Sequence, residues 1–253
     1  MLTAITRDFG SEITQCELTH IERIPINVTT AKEQHETYEN ALREAGAHVI
    51  RLPVLANHPD AVFVEDTAII LPEVAVITVP GSDSRRGEES TIAEALKNLQ
   101  KELIFLTAPA TLEGGDVMRV DRTLFVGSST RTNPEGIRQL QKALEPRGYR
   151  VVPIKVTGCL HLKTGCTCIG KNRILVNPSW IDVNQFHNHE LIAVDSHEPF
   201  AANSLLIGDT LLYSTRFPLT QTKIQKMGLQ TTTIDISELE KAEAGLTCMS
   251  LIF

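Results

Sequence analysis

Long apolar runs are missing from this chain, and so is any surplus of positive charge. No stretch is apolar for long enough to span a bilayer, so a membrane is not an expected partner. Lys and Arg total 24 against 31 Asp and Glu, a net charge of −7. That balance argues against nucleic acid and weakly favours small cationic ligands. The opening "MLTAITRDFG" lacks the basic-then-apolar pattern of a secretory leader. The five cysteines (Cys16, Cys159, Cys166, Cys168 and Cys248) are odd in number and lack the spacing of a disulfide scaffold. A reducing, cytoplasmic setting is expected. Aromatics are few, but the 42% apolar fraction is that of an ordinary globular protein. No low-complexity stretch or linker divides the 253 residues, so a single catalytic domain over 1–253 is expected.

Two common site signatures are also absent. The glycines of "LEGGD" lack the GK[ST] ending of a phosphate loop and suit a close backbone approach instead. In "CLHLKTGCTC", Cys159 and His161, and Cys166 and Cys168, are each separated by one residue. Structural zinc sites space their ligands wider. Neither metal nor cofactor is expected, and zinc on Cys248 and His161 would be adventitious. His187 and His189 read as solvated, as do Arg86, Glu88 and Glu89 at a helix start.

What is present is a repeat: two short strands, a helix, a strand. One block runs from "AVFVED" to "ELIFLTAP", the next from "LEGGDVMRV" to "YRVVPIKV". In the second, Asn133 suits an N-cap, Pro134 the first helical position and Gly148 the stop. A third block begins at "LHLKTGCTCIG" and has a poor helix around "WIDVNQFHN". A fourth begins at "AANSLLIG" and carries a helix from Thr220 to Met227, stopped by Gly228. The fifth is split between the termini. The tail "TCMSLIF" supplies its first strand; "LTAITR", a helix with a capping box from Thr30 to Glu33 ended by Gly46, and "HVIRLPV" supply the rest. Spacing of roughly 40 to 50 residues is that of propeller-like and other repeat architectures. Splitting one unit between the termini closes the ring and buries the tail.

Each block opens on polar residues: Asp66, then Glu113 and Asp116, His161, Asn203, and Cys248. Rotation would bring these strand ends to one axis. A thiol beside an imidazole points to nucleophilic catalysis. Carboxylates alongside point to a cationic electrophile, and a pair of them can hold a planar guanidinium by bidentate hydrogen bonds. The chemistry expected is attack by the Cys248 thiolate, protonation of the departing amine by His161, and hydrolysis of the thiouronium with His161 as base. Asn203 is expected to support the site by hydrogen bonding; Cys16 has no assigned role.

The set "FVEDTA", "SRRGEE", "LEGGD", "RTN", "LHLKTG", "AAN" and "LTCMSLIF" resembles the dimethylarginine dimethylaminohydrolases of the guanidine-modifying pentein superfamily, in order from near residue 18 to the end. The resemblance implies a five-bladed α/β propeller that hydrolyses asymmetric dimethylarginine or monomethylarginine to citrulline and a methylamine. It implies Cys248 as nucleophile, His161 as acid and base, and Glu113 as the third catalytic group. Asp66, supported by Glu65, would hold the guanidinium. Arg85 and Arg131 would take the α-carboxylate, as their planar forks suit. Asp60 and the carbonyls of Leu18 and Ala242 would take the α-amino end, with Leu18 on a mobile lid. A homodimer is also implied. Related arginine deiminases carry His-x-Asp; here the stretch is His161-Leu162-Lys163, and less anionic bonding leaves room for N-methyl groups. The alternatives are a deiminase or hydrolase of another guanidino compound, and a binding protein without turnover.

Overall fold

The computed structural model describes residues 2–170 and 172–253. Strand β1 (Leu2–Arg7), helix α1 (Val28–Glu44) and β2 (Ala47–Leu52) begin the chain. Strands β3 (Ala68–Ile70) and β4 (Ala75–Ile77), helix α2 (Glu88–Asn98) and β5 (Leu103–Phe105) form the next unit. Then come β6 (Val117–Val120), β7 (Thr123–Ser128), α3 (Pro134–Leu144) and β8 (Arg150–Lys155). The single turn α4 (Leu162–Gly165) leads into β9 (Cys166–Cys168), β10 (Arg173–Val176) and β11 (Glu190–Ala193). The chain ends with β12 (Leu205–Ile207), β13 (Thr210–Ser214), α5 (Pro218–Lys226), β14 (Thr231–Ile234), the short α6 (Ser237–Glu240) and β15 (Leu251–Ile252). Among the described residues, no helix is long and apolar enough to cross a membrane.

The strands form five three-stranded sheets, each pairing first antiparallel and then parallel. The split sheet has the order β15-β1-β2, with Ala4 opposite Ile252 and Ile5 opposite Leu251. A three-stranded sheet cannot bury both faces by itself, so each must share its apolar side chains with neighbours. Five shared cores do this. The first sheet meets the second through Ile5, Leu251, Val64 and Ile77. The second meets the third through Ile69, Val76, Val117 and Leu124. Met118, Phe125, Cys166 and Ile174 join third to fourth. Ile169, Leu175, Leu211 and Tyr213 join fourth to fifth. Ala4, Tyr38, Leu42, Ile207 and Leu212 return from fifth to first. The chain of cores closes on itself, giving the five-bladed α/β propeller read from the repeat. A cavity of about 540 Å³ is lined by the first strand of every blade, which places those strands innermost.

Local signals explain most element ends. The Asn133 side chain accepts from Gly136 N at 2.8 Å, and Gly148 and Gly228 adopt positive φ past their helices, as expected. Two expectations need correction, and a third is met only in part. Helix α1 is capped by Asn27, whose side chain accepts from Thr30 N at 3.2 Å; the box at Thr30 lies inside the helix. Helix α5 starts at Pro218, two residues before Thr220, since proline needs no N–H there. In the fourth blade, the segment between β10 and β11 forms only a 3₁₀ turn, Val183–Gln185. Asp182 holds that turn by accepting from Asn184 N at 3.1 Å.

Candidate active site

The polar residues that open each block do not sit on strand tips. They lie in the short turn just before each innermost strand. Asp66 is in a 3₁₀ turn (Val64–Thr67) before β3, and Asp116 is in another (Gly114–Asp116) before β6, with Glu113 at its start. His161 caps α4 before β9; Asn203 and Cys248 precede β12 and β15. Hydrogen bonds join these turns into a ring. Gly115 N donates to Asp66 Oδ1 at 2.9 Å, and Leu162 N to Asp116 Oδ1 at 2.9 Å. Asn203 Nδ2 donates to the Lys163 carbonyl at 2.9 Å, while its Oδ1 accepts from Thr247 N at 3.2 Å. Glu65 N closes the circuit on the Cys248 carbonyl at 3.1 Å. Each blade therefore positions its neighbour's polar group, and Asn203 has the supporting role expected of it.

His161, Glu113 and Asp66 are all buried. The His161 Nε2 lies 2.6 Å from Glu113 Oε2 and 4.0 Å from Asp66 Oδ1. Glu113 Oε1 accepts from Gly81 N at 2.9 Å, which fixes the carboxylate's rotation. Burial opposes charge on the imidazole, but Asp66 and the Glu113 hydrogen bond outweigh it and raise its pKa to about 9. Burial likewise opposes charge on Asp66, yet His161, Arg85 and the Gly115 N–H hold it down at about 2. Near neutral pH this is an imidazolium facing ionised carboxylate.

Cys248 is partly exposed, and its Sγ accepts from Gly245 N at 3.3 Å. Burial of most of the thiol, then the charges of Glu65 and Asp66, push its pKa up to about 12. Among the described residues, the thiol makes no hydrogen bond to His161. The Cys248 carbonyl accepts from Glu65 N, next to Asp66 in sequence, and the His161 ring lies 4.0 Å from Asp66 Oδ1, so the thiol and the imidazole come from turns that flank Asp66 in different blades. Glu65 has its own partners: Lys163 Nζ lies 2.5 Å from its Oε1, and Thr247 Oγ1 donates to its Oε2 at 2.8 Å. Lys163 thus subtracts negative charge from the centre.

The remaining expected residues group around segment 16–20. Asp60 is buried and accepts from the Glu17 N–H at 3.3 and 3.2 Å. Arg131 Nη1 donates to Glu17 Oε2 at 2.9 Å, and its Nη2 to Thr19 Oγ1 at 3.2 Å. Leu18 packs against the core shared by the first and fifth blades. Ala242 is buried beside Glu243, which accepts from the N–H groups of Thr19 and His20 and so straps this segment to the fifth blade. Arg85 is placed differently from the expectation. It is buried, with Nη1 2.6 Å from Asp66 Oδ2 and its other edge on Glu88 Oε2 at 2.8 Å. Nη2 also donates to the Phe63 carbonyl at 3.1 Å. One Nη1 hydrogen is left, so Arg85 holds Asp66 and offers no open fork. Glu88, read as solvated, is 1% exposed. Burial raises its pKa to about 7 against the pull of Arg85. The Arg85–Glu88 spacing of three was the available signal, since it puts both groups on one side of a turn. Arg86 is exposed and pairs with Asp83, as a solvated helix start would.

Ligand-type atoms from Asp66, Glu113 and His161 converge within 4.8 Å. The Cys159 thiol turns to the His161 carbonyl at 3.4 Å, and no cysteine joins that group among the described residues. With His161 protonated, the acceptors in this set are the Asp66 and Glu113 oxygens, which suit a planar organic cation.

A family model described as "N,N dimethylarginine dimethylhydrolase, eukaryotic" matches residues 14–251. The chain is 34% identical over 224 residues to the N(G),N(G)-dimethylarginine dimethylaminohydrolase of Pseudomonas aeruginosa, covering 88% of each chain. It is 34% identical over 248 residues to the enzyme of the same name from Streptomyces coelicolor, covering 98% of this chain and 95% of that one. Its fold superposes with a TM-score of 0.94 on a cysteine-to-serine mutant of DDAH from Pseudomonas aeruginosa complexed with citrulline, at 32% identity over 99% and 98% of the two chains.

Proposed function

The chain belongs to the dimethylarginine dimethylaminohydrolase family, and on that premise we propose how residues 1–253, acting as one catalytic unit, hydrolyse methylated arginines to citrulline and a methylamine. The observation that carries the reading is the closed ring of turns, which sets the His161–Glu113 pair and Cys248 around the Asp66 carboxylate. Asp66 and Glu113 take the N–H groups of the guanidinium, and the carboxylates favour the cation over neutral ligands. The thiol, with a pKa near 12 in the free protein, is protonated at neutral pH. A cation seated against it stabilises the thiolate, so the thiol proton passes to solvent as the substrate binds and the substrate itself helps to generate the nucleophile.

Cys248 Sγ then bonds to the guanidinium carbon. The carbon–nitrogen bond to dimethylamine breaks as His161, protonated through its raised pKa, delivers a proton to that nitrogen. His161, now neutral, takes a proton from water, which adds to the thiouronium carbon. Collapse expels the sulfur, which takes up the hydroxyl proton of the adduct and returns as the thiol, and leaves the ureido group of citrulline. Glu113 orients the imidazole and stabilises its charged form at the 2.6 Å contact. Arg131 is the main ligand for the α-carboxylate, Asp60 for the α-ammonium group, and the Leu18 and Ala242 carbonyls complete that end. Arg85 acts through Asp66, with one N–H left for the substrate carboxylate. Because Lys163 neutralises Glu65, the site has fewer free acceptors to reward an unmethylated guanidinium, favouring the methylated one.

Dimethylamine released from asymmetric dimethylarginine, exceeding ammonia from arginine in kcat/KM, is the expected result; the reverse preference makes the chain a deiminase. Cys248→Ser should abolish turnover yet still bind citrulline. Retained turnover would remove Cys248 from the mechanism. The reading also includes a homodimer in the cytoplasm, and light scattering of the purified protein measures the former.

A further inference from the structure

Asp60 and Arg131 present an anion and a cationic fork to the same residue, Glu17. The Glu17 backbone N–H donates to both Asp60 oxygens at 3.3 and 3.2 Å, and its carboxylate oxygen lies 2.9 Å from Arg131 Nη1. An α-amino acid head group offers the same pair: N–H donors and a carboxylate a few ångströms apart. Glu17 supplies both from one residue. We propose that Glu17 is an internal surrogate of the substrate head group, whose carboxylate must leave Arg131 before a substrate carboxylate can bind there. Glu17 thereby sets the affinity for amino-acid substrates. The inference rests on the proposed roles of Asp60 and Arg131.

Competition at Arg131 follows from its limited edges. One arm holds Glu17 and the other Thr19, so a carboxylate that takes both arms end-on must displace the Glu17 carboxylate. The segment has other anchors that do not involve the head-group site. Glu243 holds the N–H groups of Thr19 and His20, and Arg23 holds the carbonyls of Thr14 and Cys16 at 2.8 and 2.6 Å. Removing the Glu17 charge should therefore free Arg131 without releasing the segment. The Glu17 side chain is 40% exposed, so solvent screens the pair and the effect is moderate.

The test compares Glu17→Gln and Glu17→Ala with wild type on two substrates: asymmetric dimethylarginine, and the dimethylguanidino alkylamine that lacks the carboxylate. The expected result is a fall in KM for dimethylarginine of about three- to tenfold, with kcat within about twofold and KM for the carboxylate-free amine unchanged. Isothermal titration of citrulline into Cys248→Ser, with and without the Glu17 change, should show the same tightening independently of turnover. An unchanged or weakened citrulline affinity overturns the role of Glu17, as does an equal gain for both substrates, which would mean general loosening of the segment. Tightened citrulline binding without turnover of any methylarginine would keep this inference and overturn the proposed reaction instead.

Discussion

Glu113 illustrates how one residue sets the chemistry of another. Its carboxylate is held by the Gly81 N–H and ends 2.6 Å from the His161 ring. The pKa of His161, raised to about 9, depends on that contact and on Asp66. In Glu113→Gln the hydrogen-bonded charge is gone while the burial penalty remains, so the imidazole should titrate at lower pH. Turnover should fall by about two orders of magnitude or more, because less of the enzyme carries the proton needed by the leaving amine. NMR titration of the ring would register the shift. An unmoved midpoint would show that Glu113 does not sustain the imidazolium. The close approach at Gly115 points the same way. A Cβ there would lie 2.6 Å from His161 Nδ1 and 2.8 Å from Asp66 Oδ1, so only glycine lets the backbone carry its N–H to Asp66.

Helix α1 governs the tail that carries Cys248. Tyr38, fully buried, donates its hydroxyl hydrogen to the Leu246 carbonyl at 2.8 Å and lies 2.6 Å from Ser250 Oγ. These contacts bracket Cys248 on both sides. Tyr38→Phe removes the hydroxyl and leaves the Leu246 carbonyl without that partner, a cost of about 1–2 kcal/mol. Urea unfolding should report that loss, with a fall in turnover as the nucleophile's turn loosens. A variant as stable and as active as wild type would show that the tail is positioned by β15 alone.

The molecule as a whole is a ring closed by its own ends. Strand β15 pairs with β1, and Thr3 and Phe253 exchange backbone hydrogen bonds at 2.7 and 2.9 Å. The shared core of the first and second blades includes Leu251. Deleting residues 251–253 should therefore lower Tm and abolish methylarginine turnover together, although none of the three carries a catalytic group. Calorimetry and a product assay on the truncated chain test this; unchanged melting with full activity would show that closure is not needed to hold Cys248.

Block order, most helix stops and the chemical identities of the central thiol, imidazole and acids were legible in the sequence, because they rest on short-range propensity and on residue types that a plain core does not need. The third block's weak helix pattern did become something less than a helix. Partner choice was not legible. Arg85 and Glu88 are three apart, yet only the packed second blade shows them buried together, with Arg85 between Glu88 and Asp66. Glu17 and Arg131 are 114 positions apart, and no local pattern predicts their pairing. The sequence by itself determined which groups were available and which block each would open. The tertiary structure alone decided which charges are buried, which neutralise one another and which remain for a ligand, because those energies depend on distance and on exclusion of water, and both are set by the closed ring.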